Sequence, residues 1–111
     1  MNNCLFCRIV KKKLPADIII ESDDMLSFKD IDPQATTHIL VIPKDHISSI
    51  LNSDTAVIKR MFRMANKIVK KSSLAKDGFR YVINTGSDGG QTIDHLHLHI
   101  LGGRKLNWPP G

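Results

Sequence analysis

The residues best suited to chemistry lie in one run, His95-Leu96-His97-Leu98-His99-Ile100-Leu101. In an extended segment successive side chains alternate, so the three imidazoles share one face, about 6–7 Å apart, and Leu96, Leu98 and Ile100 share the other. The plain alternative is the wet face of a half-buried strand, but a rare residue at three consecutive outward positions argues for a function. Such a row has two uses. It ligates a metal, as paired histidines do in zinc hydrolases, or a neutral ring nitrogen attacks an electrophile while a neighbour carries a proton. With a reference pKa of about 6.5, an imidazole near neutral pH is largely unprotonated and nucleophilic. Adjacent imidazolium charges repel, so all three are not expected to be protonated together. Just before the run, Gly86-Ser87-Asp88-Gly89-Gly90-Gln91 forms a glycine-rich loop. Such a loop brings backbone N–H groups close to a phosphate, which favours attack at phosphorus over activation of a metal-bound water.

Two further sets of reactive residues are less specific. Cys4-x-x-Cys7 has the spacing of a redox pair, but such a pair would follow a strand at a helix start in a βαβ unit, which this chain lacks. His38 opens an apolar run, and its plain reading is a hydrogen-bonded histidine at the start of a strand.

The elements that must position these residues follow from periodicity. Leu5 with Ile9 and Phe6 with Val10 repeat at i,i+4, predicting a short helix over Cys4 to Lys12 that Pro15 ends. Ile18 to Glu21 and Met25 to Phe28, separated by Ser22-Asp23-Asp24, read as a hairpin. His38 to Ile42 is a strand closed by Pro43. Apolar residues every three to four positions from Val57 to Val69 predict a long amphipathic helix, Asp54 to Ser73, whose opposite face is basic. Phe79 to Asn84 and His95 to Leu101 complete the strands. Strands in runs with one long helix favour an α+β fold with an antiparallel sheet of about five strands. The glycines lead into a strand and not a helix, so neither a dinucleotide fingerprint nor a Walker loop fits.

With 111 residues the chain is expected to be one domain, residues 1–111, with a modest core drawn from its 41% hydrophobic residues. Its charged fraction of 24% and 5 prolines argue against disorder. Apolar runs such as Ile39 to Ile42 fall far short of the ~20 residues a membrane span needs, and the N-terminus lacks a secretory apolar segment. A cytoplasmic location, or a nuclear one, is therefore expected, with the cysteines reduced. Sixteen Lys and Arg against 11 Asp and Glu give +5, which favours anionic partners. The excess sits in Lys11-Lys12-Lys13 and along the long helix, where charge runs are mostly solvated faces. Nucleic acid is not the expected partner, because no nucleic-acid fold signature accompanies the charge.

The histidine run resembles the His-φ-His-φ-His-φ-φ signature of the histidine triad family. Asp30-Ile31-x-Pro33-Gln34-Ala35-x-Thr37-His38, Val41-Ile42-Pro43-Lys44-x-His46-Ile47, the glycine loop and the final Trp108-Pro109-Pro110-Gly111 resemble its Hint branch in particular, so the likeness spans nearly the whole chain. It implies a dimer whose sheets join into a larger one, with the Trp108 tail reaching the partner's site. It also implies hydrolysis of purine nucleoside phosphoramidates and aminoacyl-adenylates to AMP through a nucleotidyl-histidine. By position His97 matches the nucleophile, His99 the histidine that contacts the phosphate and its leaving-group side, and His38 a fourth histidine supporting the triad's hydrogen bonds. Asp30 matches the carboxylate that accepts the ribose hydroxyls. Asn84, Gly90 and Thr92 match loop positions around ribose and phosphate, and Phe6, Ile9, Phe28, Ile31 and Leu40 match the apolar base pocket, as do Leu5 and Leu14. Thr92 stands where many members have Ser, Lys29 takes a base-side position where a neutral or aromatic residue is common, and Ile93-Asp94 replaces an apolar-aromatic pair. Relatives in the family bind structural zinc through residues matching Cys4, Cys7, His46 and His95. The alternatives are a dinucleoside polyphosphate hydrolase, disfavoured by the Trp-Pro-Pro-Gly ending, and a non-catalytic nucleotide-binding scaffold.

Overall fold

In a computed structural model describing residues 3–111, five strands form one antiparallel sheet in the order β1-β2-β3-β5-β4. The elements are α1 (Leu5–Val10), β1 (Ile18–Glu21), β2 (Met25–Lys29), β3 (Thr37–Pro43), a 3-10 turn at Ile50–Asn52, α2 (Thr55–Lys70), α3 (Leu74–Asp77), β4 (Phe79–Val82) and β5 (Leu98–Gly102). The expected α+β architecture is present. Among the described residues no helix is long and apolar enough to cross a membrane.

Period-two alternation divides the sheet into two buried faces. Met25, Ile39, Val41, Leu96, Leu98 and Ile100 pack with Met61, Met64, Ala65, Ile68 and Val69 of α2 and Leu74 of α3. Leu26, Phe28, Leu40 and Ile42 lie on the opposite face and pack with Phe6 and Ile9 of α1. Asp54 starts α2 by accepting the Val57 N–H at 2.9 Å, and Lys67 and Lys70 fall in its last turn, where the helix dipole favours cations. Cys4 caps α1 with its sulfur, which accepts the Cys7 N–H at 3.3 Å.

Several boundaries differ from the periodicity. Helix α1 stops at Val10, and the backbone turns at Lys12, whose φ is +62°. The long helix ends at Lys70, and Leu74–Asp77 forms a separate turn. Strand β4 ends at Val82, two residues early. The largest difference is that His95, Leu96 and His97 precede β5, because the register on both sides begins at Leu98 and His99. Their backbone N–H groups turn to loops instead: that of His95 to the Ile93 carbonyl and that of Leu96 to the Ile47 carbonyl. Alternation survives all the same, since Leu96, Leu98 and Ile100 join the α2 cluster while the imidazoles face α1.

Candidate active site

At His95 and His97 the imidazole face is buried, not the wet strand face of the plain alternative, while His99 is half-buried at the cavity. His95 is 0% exposed and His97 5%, because Phe6 of α1 stands edge-on to both rings, with centroids at 5.7 and 5.1 Å. Each ring is then fixed by what its nitrogens touch. His97 Nδ1 lies 2.6 Å from the His95 carbonyl, so Nδ1 carries the proton and the lone pair is on Nε2. The Gln34 backbone N–H donates to His38 Nδ1 at 3.0 Å, which leaves the proton of a neutral His38 on Nε2. That N–H donates to His99 Nδ1 at 2.8 Å, so His99 in turn carries its proton on Nε2. Register explains the meeting of these two rings: Leu40 pairs with His99 and His38 with Leu101, placing His38 and His99 diagonally on one face.

Burial favours neutral rings here. It pushes His99 down to about 4, with the neighbouring His97 and His38 adding to the effect and Asp30 opposing it. Burial likewise lowers His38, against the pull of Asp30 and Asp32. One Asp30 oxygen lies 3.4 Å from His38 Nε2, and the other accepts the Asp32 N–H at 2.8 Å, which fixes the carboxylate's direction.

His97 and His99 line a cavity of about 600 Å³ together with Asp30 and Thr92, within the usual range for small-molecule sites. Of the expected apolar positions, Phe6, Ile9, Phe28 and Leu40 form its inner wall, and Leu5 lines it too. Ile31 also borders it but is 99% exposed, a rim residue with nothing packed on its outer side. Asn84 and Gly90 are not on the wall. Asn84 Nδ2 donates to the Gly89 carbonyl at 2.7 Å and so braces the glycine loop. Gly89 is required there, since a Cβ would fall on the Thr85 carbonyl oxygen, and Gly90 has a φ of +81°. Lys29 and Ile93, two departures from the family pattern, border the cavity, as do Pro15, Ala16, Asp17 and Pro33, none of which was expected as a site residue. Gln34 orients His38 through its backbone, which side-chain identity does not reveal. A groove of similar size on the basic side of α2, lined by Lys59, Arg63, Lys67 and Lys70, contains no histidine.

A second cluster lies beneath α1. Cys4 Sγ is 3.3 Å from His95 Nδ1, and Cys7 Sγ is 3.3 Å from His46 Nδ1 and 3.6 Å from His95 Nδ1. All four candidate ligand atoms lie within 4.8 Å of one another. Zn–S bonds of about 2.3 Å and Zn–N bonds of about 2.0 Å give tetrahedral edges of about 3.3–3.8 Å, so these spacings fit. His95 Nε2 donates to the Pro43 carbonyl at 2.8 Å, which turns the Nδ1 lone pair toward the sulfurs. Burial and the nearby Cys4 raise the Cys7 thiol, so the metal-free sulfur favours its proton. Asp30, His38 and His99 also converge, but they do not fit a metal, because His38 Nε2 holds a proton while Gln34 occupies Nδ1.

An antiparallel sheet with buried, oppositely protonated histidines over a small-molecule cavity defines a histidine-triad type of domain. The chain belongs to the HIT family: the family model described as HIT domain matches residues 11–106. It is 46% identical over 110 residues to an uncharacterized HIT-like protein of Synechococcus elongatus, covering 96% of each chain. It is 41% identical over 111 residues to the 14 kDa zinc-binding protein of Zea mays, covering 96% of this chain and 87% of that protein. The crystal structure of a HIT family hydrolase from Legionella pneumophila superposes with a TM-score of 0.94 at 43% identity, covering 98% of this chain and 100% of that one.

Proposed function

We propose that this chain is a hydrolase of the Hint branch, a purine nucleoside phosphoramidase that releases AMP from AMP-linked amines. The observation that carries the reading is the pair of opposite tautomers at one cavity: Nε2 of His97 is bare, and Nε2 of His99 bears a proton. His97 Nε2 attacks the α-phosphorus and the P–N bond breaks, the departing amine taking a proton from solvent at the exposed Thr92 side. His99 Nε2–H donates to the phosphoryl oxygen, where charge develops. The nucleotidyl imidazole is cationic, and its Nδ1–H remains on the His95 carbonyl, which favours that charge. Water then attacks phosphorus, loses its protons to solvent, and frees AMP and neutral His97. Asp30 accepts the ribose hydroxyls, while Phe6, Ile9, Phe28, Leu40 and the rim residue Ile31 receive the base. Asn84 and Gly90 act by shaping the loop.

Cys4, Cys7, His46 and His95 hold a structural zinc in this reading, supported by their spacing and by the zinc-binding name of the maize relative. Four protein ligands close the metal's shell, so it would fasten α1 and not activate water. Strand β4 ends the sheet with Phe79 exposed, which supports pairing with a second copy into a continuous sheet. The exposed Trp108, whose ring has the Arg80 guanidinium 5.8 Å over its centre, would then reach the partner's cavity.

Turnover of adenosine 5′-phosphoramidate and binding of AMP, compared in wild type and His97→Ala, test the reaction. Hydrolysis by wild type only, with AMP trapped on the protein during turnover, is the expected result. Equal hydrolysis by both proteins removes the assignment, and AMP binding without turnover in wild type would identify a scaffold instead.

A further inference from the structure

The cavity and the sulfur-imidazole cluster share one helix. Cys4 caps α1 and Cys7 sits in its first turn, with Phe6 between them, 3% exposed. The Phe6 ring meets His95 of the cluster, His97 of the cavity and Phe28 of the cavity wall, at centroid distances of 5.7, 5.1 and 5.6 Å. Leu5 and Ile9, on the same helix, also line the cavity. At six residues α1 is too short to persist through its own hydrogen bonds. Two sets of contacts keep it in place: burial of Phe6 and Ile9 on the sheet, and the reach of Cys4 and Cys7 to His46 and His95. His95 also supplies the carbonyl that fixes the His97 ring.

We infer that Phe6 is a positioning residue through which zinc at Cys4, Cys7, His46 and His95 and a nucleoside monophosphate in the cavity strengthen each other's binding. The inference rests on the nucleotide and metal readings above. A bound metal fixes α1, so the nucleotide meets a wall that is already ordered and does not bear that ordering cost. Linkage makes the effect mutual: a nucleotide pressed against α1 holds the cysteines over His46 and His95 and so retains the metal. Couplings of this kind commonly run from about 5- to 150-fold, and one ring on a short helix places this one at about tenfold.

The test measures the zinc dissociation constant by competition with a chromogenic chelator, with and without saturating AMP, and the AMP dissociation constant of zinc-loaded and zinc-stripped protein by calorimetry. Both ratios are expected near tenfold and equal. Phe6→Leu keeps an apolar side chain but loses the flat ring edge. In that variant both ligands should still bind, each ratio should fall below about twofold, and kcat should drop more than KM changes as the His97 ring loses its stop. Coupling that only reported unfolding of the stripped chain would survive Phe6→Leu, and its survival overturns the role of Phe6. Wild type that binds both ligands with neither affecting the other overturns the coupling and leaves the phosphoramidase reading standing. Zinc-loaded protein that fails to bind AMP overturns that reading, and protein that retains no zinc overturns the metal centre; either result overturns the inference as well.

Discussion

His38→Leu tests whether the tautomer chain matters to turnover. His38 is 6% exposed, so leucine fills the site without burying a new polar group. The substitution removes the 2.8 Å hydrogen bond that keeps the His99 proton on Nε2, while leaving both cavity imidazoles in place. A neutral hydrogen bond of this kind contributes about 0.5–1.5 kcal/mol net, so the proton would redistribute between Nδ1 and Nε2 by roughly 2- to 10-fold. The loss in kcat is expected to be at most of that size, because turnover follows the fraction of His99 that carries Nε2–H and not the tautomer ratio itself. Removing the donor altogether, as in His99→Leu, should cost about 10²–10³, the usual effect of losing one charge-stabilising donor. KM should change little, because His38 lies behind His99 and off the cavity wall. Gln34 N–H loses its acceptor, but Gln34 is exposed and water can replace the ring, so thermal stability should fall by no more than about 1 kcal/mol. Steady-state kinetics on adenosine 5′-phosphoramidate, with ¹⁵N chemical shifts of His99 as the tautomer readout, decide it. An unchanged kcat alongside a redistributed His99 proton would refute the reasoning. So would a loss as large as that of His97→Ala, which would make His38 itself a reacting group.

Three further outcomes follow from the same geometry. The folded His99 titrates near 4, against 6.5 for an unburied histidine, so between these values the unfolded chain binds a proton that the folded chain does not. Its contribution to stability is complete above about pH 6.5, declines as pH falls toward 4 and changes no further below that, and His38 acts in the same direction. A Tm series from pH 4 to 8 that is flat, or that peaks at the acidic end, would contradict this. Gly89→Ala should destabilise the loop by about 1–3 kcal/mol, since the new methyl group meets backbone and not a mobile side chain; urea unfolding with an unchanged midpoint would show that the loop has room. Asp30→Asn keeps an acceptor for the Asp32 N–H but removes the carboxylate charge, so KM for a ribonucleoside substrate should rise by about tenfold while a 2′,3′-dideoxy analogue changes little. Equal effects on both would mean that Asp30 does not bind the sugar.

Much of this architecture is legible in the chain itself because it depends on alternation. Leu96, Leu98 and Ile100 demand one buried face, and the histidines between them must take the other, whatever the exact limits of the strand. The basic and apolar stripes of α2 are readable for the same reason. The burial of His95 and His97 is not readable from the run itself, since it comes from Phe6 about ninety residues away. Nor does local pattern reveal that Cys4 and Cys7 meet His46 and His95; family likeness supplied that grouping, and the geometry brings the four together. The loop's own framework is not readable from type either: Asn84, expected beside a ligand, donates its Nδ2 to the Gly89 carbonyl, and neither it nor Gly90 lines the cavity. Ile31 looks like a core residue by type, yet no element among the described residues covers it.

The irregular stretch before β5 has the greatest chemical consequence. A strand running from His95 would commit the His95 carbonyl to a neighbouring strand, as ladder groups must be paired. Because pairing starts only at Leu98, that carbonyl is free to accept from the side chain two residues on, and His97 Nδ1 reaches it at 2.6 Å. The same bond holds the proton on Nδ1 and so leaves Nε2 bare for the cavity. His99, already inside the ladder, takes the opposite tautomer from His38 on the adjacent strand. The point where the strand begins therefore gives two identical side chains opposite tautomers, the difference that the proposed nucleophile and donor require and that their spacing alone does not contain.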